Sequence, residues 1–139
     1  MSRADLDALA PVRRHREAQA ERAWRQQREL LRERQAAFAA ARARWQAACE
    51  QQAAQREALY GEHRGRALSI CELNAWSTEE RRLIGELAEQ ARALQALDEE
   101  QAQQARHTEA AQQRLQGRRR DLEKLGAMME YLTEVPDDE

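Results

Sequence analysis

Helix-breaking residues are scarce in this sequence: two prolines and five glycines among 139 residues. Pro11 and Pro136 lie near the two ends, where they cost a helix least. Aromatic residues make up only 4% of the chain and charged residues 35%, a balance with too little bulky apolar side chain for a compact core. There is no run of about 18 apolar residues to span a bilayer and no charged-then-apolar leader, so the chain reads as soluble and cytoplasmic, without membrane insertion. The two cysteines, Cys49 and Cys71, form neither a CxxC pair nor a zinc quartet with the scattered His15, His63 and His107. A Gly-rich phosphate loop, HExxH and GxSxG are all missing, which predicts a non-enzymatic protein without metal or cofactor. One lysine, Lys124, stands among 22 arginines, a skew that reads as codon bias. The net charge of −2, with no basic stripe interleaved with aromatics, argues against nucleic acid as a partner.

What the chain does have is a seven-residue apolar repeat. Trp24, Leu31, Phe38 and Trp45 recur without a break, followed by Gln52 and Leu59, and a second row runs through Leu73, Leu87, Leu94, Leu115, Leu122 and Met129. Such a repeat keeps one helical stripe facing a partner helix. A flanking row, Trp76, Leu83, Leu97, Leu125 and Leu132, fills the other seam position of the second helix, and Ala20, Ala41 and Ala48 that of the first. The fold class is therefore all-α, two long helices forming an antiparallel coiled-coil hairpin.

Gly61 and Gly65 bracket Glu62, His63 and Arg64, and Ser69 through Glu72 has the spacing of a capping box. This predicts helix one at about residues 10–61, a bend at about 62–69, helix two at about 70–132 and an acidic tail over 133–139. Residues 1–66 carry 14 basic and 9 acidic groups, net +5, and residues 67–139 carry 9 and 16, net −7. Oppositely charged arms favour pairing with each other over a parallel dimer of like arms. The rows give a register in which 59 and 73, 45 and 87, 38 and 94, 31 and 101, and 24 and 108 each sum to 132. In it Trp45 meets Leu87, Phe38 meets Leu94 and Trp24 covers Thr108. Cys49 and Cys71 are then out of register by 12 residues, roughly 18 Å by helical rise, too far for a disulfide. Helices of this length make a thin hairpin of about 80 Å, monomeric when isolated, with both chain ends at one tip.

Several clusters remain beyond the seam. Arg13, Arg14 and Arg16 near the start and Arg118, Arg119 and Arg120 near the end fall close to the same tip, as solvated surface or as a contact for an acidic partner. Leu59, Tyr60, Leu68 and Trp76 gather at the bend, where they close the hairpin or form a docking site. Met128, Met129, Tyr131 and Leu132 end helix two with more apolar character than the seam needs, and Asp98, Glu99 and Glu100 read as a solvated face.

The Arg/Glu/Ala-rich segment Glu17 to Ala23, the mid-helix Trp45 and the bend segment from Ala67 to Trp76 together resemble the stalk proteins of type III secretion systems, the YscO family, which are similar to the flagellar export protein FliJ. The bend segment, with Leu68, Glu72, Leu73 and Trp76, carries most of the likeness: a leucine, polar, acidic, leucine, tryptophan run opening the second helix. The resemblance implies a central stalk linking the hexameric secretion ATPase to an export-gate protein. Secretion chaperones are further partners, and the location is cytoplasmic, peripheral to the inner-membrane export apparatus. It places Arg13, Arg14, Arg16, Arg118, Arg119 and Arg120 towards the ATPase and Leu59, Tyr60, Leu68, Leu73 and Trp76 towards the gate. Two other classes stand beside it: a hairpin chaperone gripping clients between its arms, and a structural coiled-coil dimer.

Overall fold

The structure, a computed structural model, describes residues 2–134. It consists of helix α1 (Arg3–His63) and helix α2 (Ile70–Glu134), packed against each other as a helical hairpin. Neither helix is long and apolar enough at any point to cross a membrane. The chain divides into two units. Unit one pairs the first part of α1, through Arg32, with α2 from Gln103 onward; unit two is Glu33–Ala102 and contains the bend.

Helix α1 begins at Arg3, several residues before the sequence-based start near residue 10, because a reciprocal cap forms there. The Ser2 hydroxyl accepts the Asp5 amide (3.3 Å), and the Asp5 carboxylate accepts both the Ser2 amide (3.1 Å) and the Ser2 hydroxyl (2.8 Å). The early start turns Leu6 and Ala10 inward and leaves Pro11 inside the helix. Pro136 and most of the acidic tail lie outside the described residues; Thr133 and Glu134 belong to α2.

At the bend, Gly61 does not end the first helix, which runs on to His63. The residue with left-handed backbone is Gly65 (φ 77°), and Arg66 N–H bonds to the His63 carbonyl at 3.1 Å. Gly65 accepts that geometry without the Cβ clash any other L-residue would meet. Ser69 caps α2 through its hydroxyl, which accepts the Glu72 amide at 3.1 Å.

Seam residues emerge largely where the heptads put them. Trp24, Leu31, Phe38, Trp45, Gln52 and Leu59 are all half-buried, as are Trp76, Leu83, Leu87, Leu94, Leu97, Leu122, Met129 and Leu132, while Leu115 and Leu125 are buried. Leu73 departs from the row: it is 53% exposed, and Glu80, not Leu73, is the half-buried member nearest the bend.

The register also differs from the one drawn from the rows. In unit one, residues 13 and 121, 17 and 119, and 27 and 108 are joined by hydrogen bonds, and 10 and 125 share the core; these pairs sum to 134, 136, 135 and 135. In unit two, 34 and 100, and 56 and 80, sum to 134 and 136. A centre near 135 rather than 132 puts Ala20 opposite Leu115, Ala41 opposite Leu94, Ala48 opposite Leu87 and Trp24 opposite Ala111. The reason is interdigitation: at this centre each seam row of α1 faces the other seam row of α2, so Leu115, Leu94 and Leu87 close on Ala20, Ala41 and Ala48, while Phe38 faces Leu97 and Leu59 faces Trp76.

Candidate functional surfaces

The buried core lies in unit one. Leu6, Ala10 and Leu125 form a buried cluster with Leu9, Met129 and Leu132 against it, and Ala20, Thr108, Ala111 and Leu115 are buried further along. Polar side chains lie across this seam. The Arg13 guanidinium donates to the Asp121 carbonyl at 2.8 Å, Gln104 Nε2 donates to Gln27 Oε1 at 2.7 Å, and the Thr108 hydroxyl donates to the Gln27 carbonyl at 3.1 Å. Arg119 reaches Glu17 at 3.4 Å and Glu21 at 3.9 Å.

The six arginines singled out from sequence thus divide by role within one unit. Arg13 is half-buried and Arg119, though exposed, is paired across to α1, so both bind the two helices together. Arg14 and Arg16 are exposed on α1. Arg120 is exposed on α2 and bonds only along its own helix, to the Gln116 carbonyl at 3.4 Å; Arg118 is half-buried. Among the described residues, the exposed arginines of the six that make no bond to the other helix are therefore Arg14, Arg16 and Arg120. On the same unit Ala127, Met128, Tyr131 and Leu132 line a shallow apolar groove, with Tyr131 67% exposed.

The bend residues are partly gathered. Tyr60 meets Trp76 edge-on, with ring centroids 5.2 Å apart at 70°, and the His63 ring lies 5.6 Å from Trp76. Leu59 and Trp76 line one groove together with Leu83. Leu68 is half-buried in the connection, and Leu73 projects outward beside Ile70, itself 79% exposed. His63 was not among the sequence candidates. Its position three residues after Tyr60, on the same helical face, is the signal that places it under Trp76. Its Nδ1, like Trp45 Nε1, is shielded from solvent and has no hydrogen-bond partner among the described residues.

Charges elsewhere on unit two pair locally. Arg56 bonds to Glu80 across the two helices, Arg34 to Glu100 at 3.1 Å, and Arg82 to both Glu79 and Glu86 on its own helix. The Arg82 hydrogen bond holds the Glu79 carboxyl below the usual range for a glutamate. Asp98 accepts a bond from Gln101 at 2.8 Å, so the acidic run is partly tied into the helix surface. Cys49 is half-buried and Cys71 exposed, both as free thiols. Among the described residues no three His, Cys, Asp or Glu side chains converge as a metal site.

Unit one thus has the tighter seam, with arginines exposed outside it, and unit two the looser one, with an aromatic cluster at the bend. No protein-family model, curated protein or solved structure matches this chain.

Proposed function

We propose that this chain is a non-enzymatic stalk of a type III secretion export apparatus, engaging the hexameric secretion ATPase through unit one and the export gate through the bend end of unit two. The observation that carries the reading is the build of unit one. The segments nearest the two chain ends pair around Leu6, Ala10 and Leu125, each no more than 6% exposed. Arg13 and Arg119 close the seam while Arg14, Arg16 and Arg120 stay on the outside. A narrow two-helix end with a firm seam and an external arginine collar suits insertion into an acidic pore, where exposed guanidinium groups find carboxylates. At the bend, Tyr60, Leu73 and Trp76 supply apolar surface for a second partner.

The test is to add the purified chain to the purified hexameric secretion ATPase of the same organism and follow both co-elution and phosphate release. Co-elution with stimulated turnover is expected. The triple variant Arg14→Glu, Arg16→Glu, Arg120→Glu should lose both while keeping its helical circular dichroism. Absence of co-elution and stimulation with the unaltered chain refutes the stalk reading and leaves the chaperone and structural-dimer classes.

A further inference from the structure

The apolar seam of unit one repeats every seven residues, which makes it a poor gauge of the offset between its two helices. Interdigitated rows exclude a half-heptad offset, but a slide by a whole heptad interdigitates them again. Slid one way, Ala10, Ala20 and Leu31 fall opposite Leu132, Leu122 and Ala111, pairs that each sum to 142 and stay apolar, while Leu125 meets Glu17. Slid the other way, Leu6 falls opposite Leu122, a sum of 128. Choosing the observed centre near 135 calls for a contact that does not repeat.

Unit one holds such a contact. Gln104 Nε2 donates to Gln27 Oε1 at 2.7 Å and to the Gln27 carbonyl at 3.1 Å. The Thr108 hydroxyl shares its proton between the Gln27 carbonyl at 3.1 Å and the Gln104 carbonyl of its own helix at 2.9 Å. A main-chain carbonyl only accepts, so the Gln104 atom facing it is the amide nitrogen, and that fixes the direction of the Gln27 to Gln104 bond. Thr108 is 9% exposed, and both glutamines are half-buried. The other polar links across this seam select less. Arg13 reaches a main-chain carbonyl, a group that recurs at every residue, through a long flexible stem. Arg119 meets Glu17 and Glu21 at 3.4 and 3.9 Å from an exposed position, where water competes.

We infer that Gln27, Gln104 and Thr108 are the register key of unit one, a polar clasp that selects one offset among those its heptads allow. The first slide sets Gln27 against Leu115, and the second sets Gln104 against Trp24. Either breaks the bond between the two glutamines and leaves half-buried amides to find new partners, which is how one polar layer selects register in a coiled coil. The inference concerns unit one alone and stands whether or not the chain is an export stalk.

The test is a distance measurement by pulsed electron–electron resonance on the full chain with Cys49→Ala and Cys71→Ser. Spin labels go on His15→Cys and Arg106→Cys, both exposed positions of unit one. Their numbers sum to 121, so at a centre near 135 they lie 14 residues out of opposition, about 21 Å along the axis, and a one-heptad slide changes that by about 10 Å. The clasped chain should give one distance, and so should Thr108→Ser, which keeps the hydroxyl. The triple variant Gln27→Leu, Gln104→Leu, Thr108→Val should stay helical by circular dichroism and show a second distance about 10 Å away. Loss of three bonds across the seam should raise the ratio of slid to native register roughly a hundredfold. A single unchanged distance in the helical triple variant overturns the proposal. So does a new distance that disappears when labelled chain is diluted with unlabelled, since the clasp would then guard against association and not against slippage. Should the triple variant lose helicity, Gln104→Leu alone is held to the same two outcomes.

Discussion

Leu125→Ala is the substitution that most directly tests where this fold keeps its stability. Leu125 is 2% exposed and packs on Leu6, also 2% exposed, and Ala10, with Leu9, Met129 and Leu132 around them. Truncation removes three buried carbons, about 2.4 kcal/mol at roughly 0.8 kcal/mol each. A cavity term adds to this, but Met129 and Leu132 are only half-buried and can lean inward, so the total should be about 3 kcal/mol, towards the low end for buried Leu→Ala changes. Leu94, on the other seam row of α2 and in unit two, is half-buried on an open groove. Leu94→Ala should therefore cost about half as much, roughly 1–1.5 kcal/mol. Urea titration followed by circular dichroism at 222 nm gives both values, and amide exchange through α1 near Leu6 and Ala10 should accelerate only in Leu125→Ala. A loss under about 1 kcal/mol for Leu125→Ala, or an equal or larger loss for Leu94→Ala, would refute the assignment of the firm seam to unit one.

The two bend glycines should respond with opposite signs. Gly65→Ala places a Cβ on a residue at φ 77° and should cost about 1 kcal/mol, whereas Gly61→Ala, helical and with open space around the new atom, should gain about 0.5–1 kcal/mol in the same titration. Arg13→Ala removes a guanidinium bond to the Asp121 carbonyl at 2.8 Å and should cost about 1 kcal/mol, while Arg14→Ala, on the exposed face, should change stability by less than about 0.5 kcal/mol. The Ser2 hydroxyl, and then its amide, hold the Asp5 carboxyl below its ordinary 3.8. A depressed carboxylate stabilises the fold above the unfolded value and loses that contribution as pH falls through the native one. The first turn of α1 should therefore fray on acidification below pH 3.8, and Ser2→Ala should move the carbon-detected Asp5 titration up towards that value.

Sequence alone determined that the chain is two long helices and which stripes of them face inward. A seven-residue repeat is a local property of a helix, and every seam residue read from it except Leu73 is at least half-buried. Leu73 is the exception because the heptad continues in the sequence of α2 where Glu80 is already the last seam residue on its row to be covered. The Ser69 cap was equally legible, since it depends on spacing within one turn. The start of α1 was not. Its cap uses Ser2 and Asp5, and what makes the extension favourable is burial of Leu6 and Ala10 against Leu125, more than 100 residues away. Register was decided by tertiary structure too. Two heptad rows can be slid past each other with their periodicity intact, and only the interdigitation of each row with the other row of the partner helix selects a centre near 135 over 132. The same holds for the surfaces. Six arginines look alike as letters, yet packing assigns Arg13 and Arg119 to the seam and leaves Arg14, Arg16 and Arg120 outside.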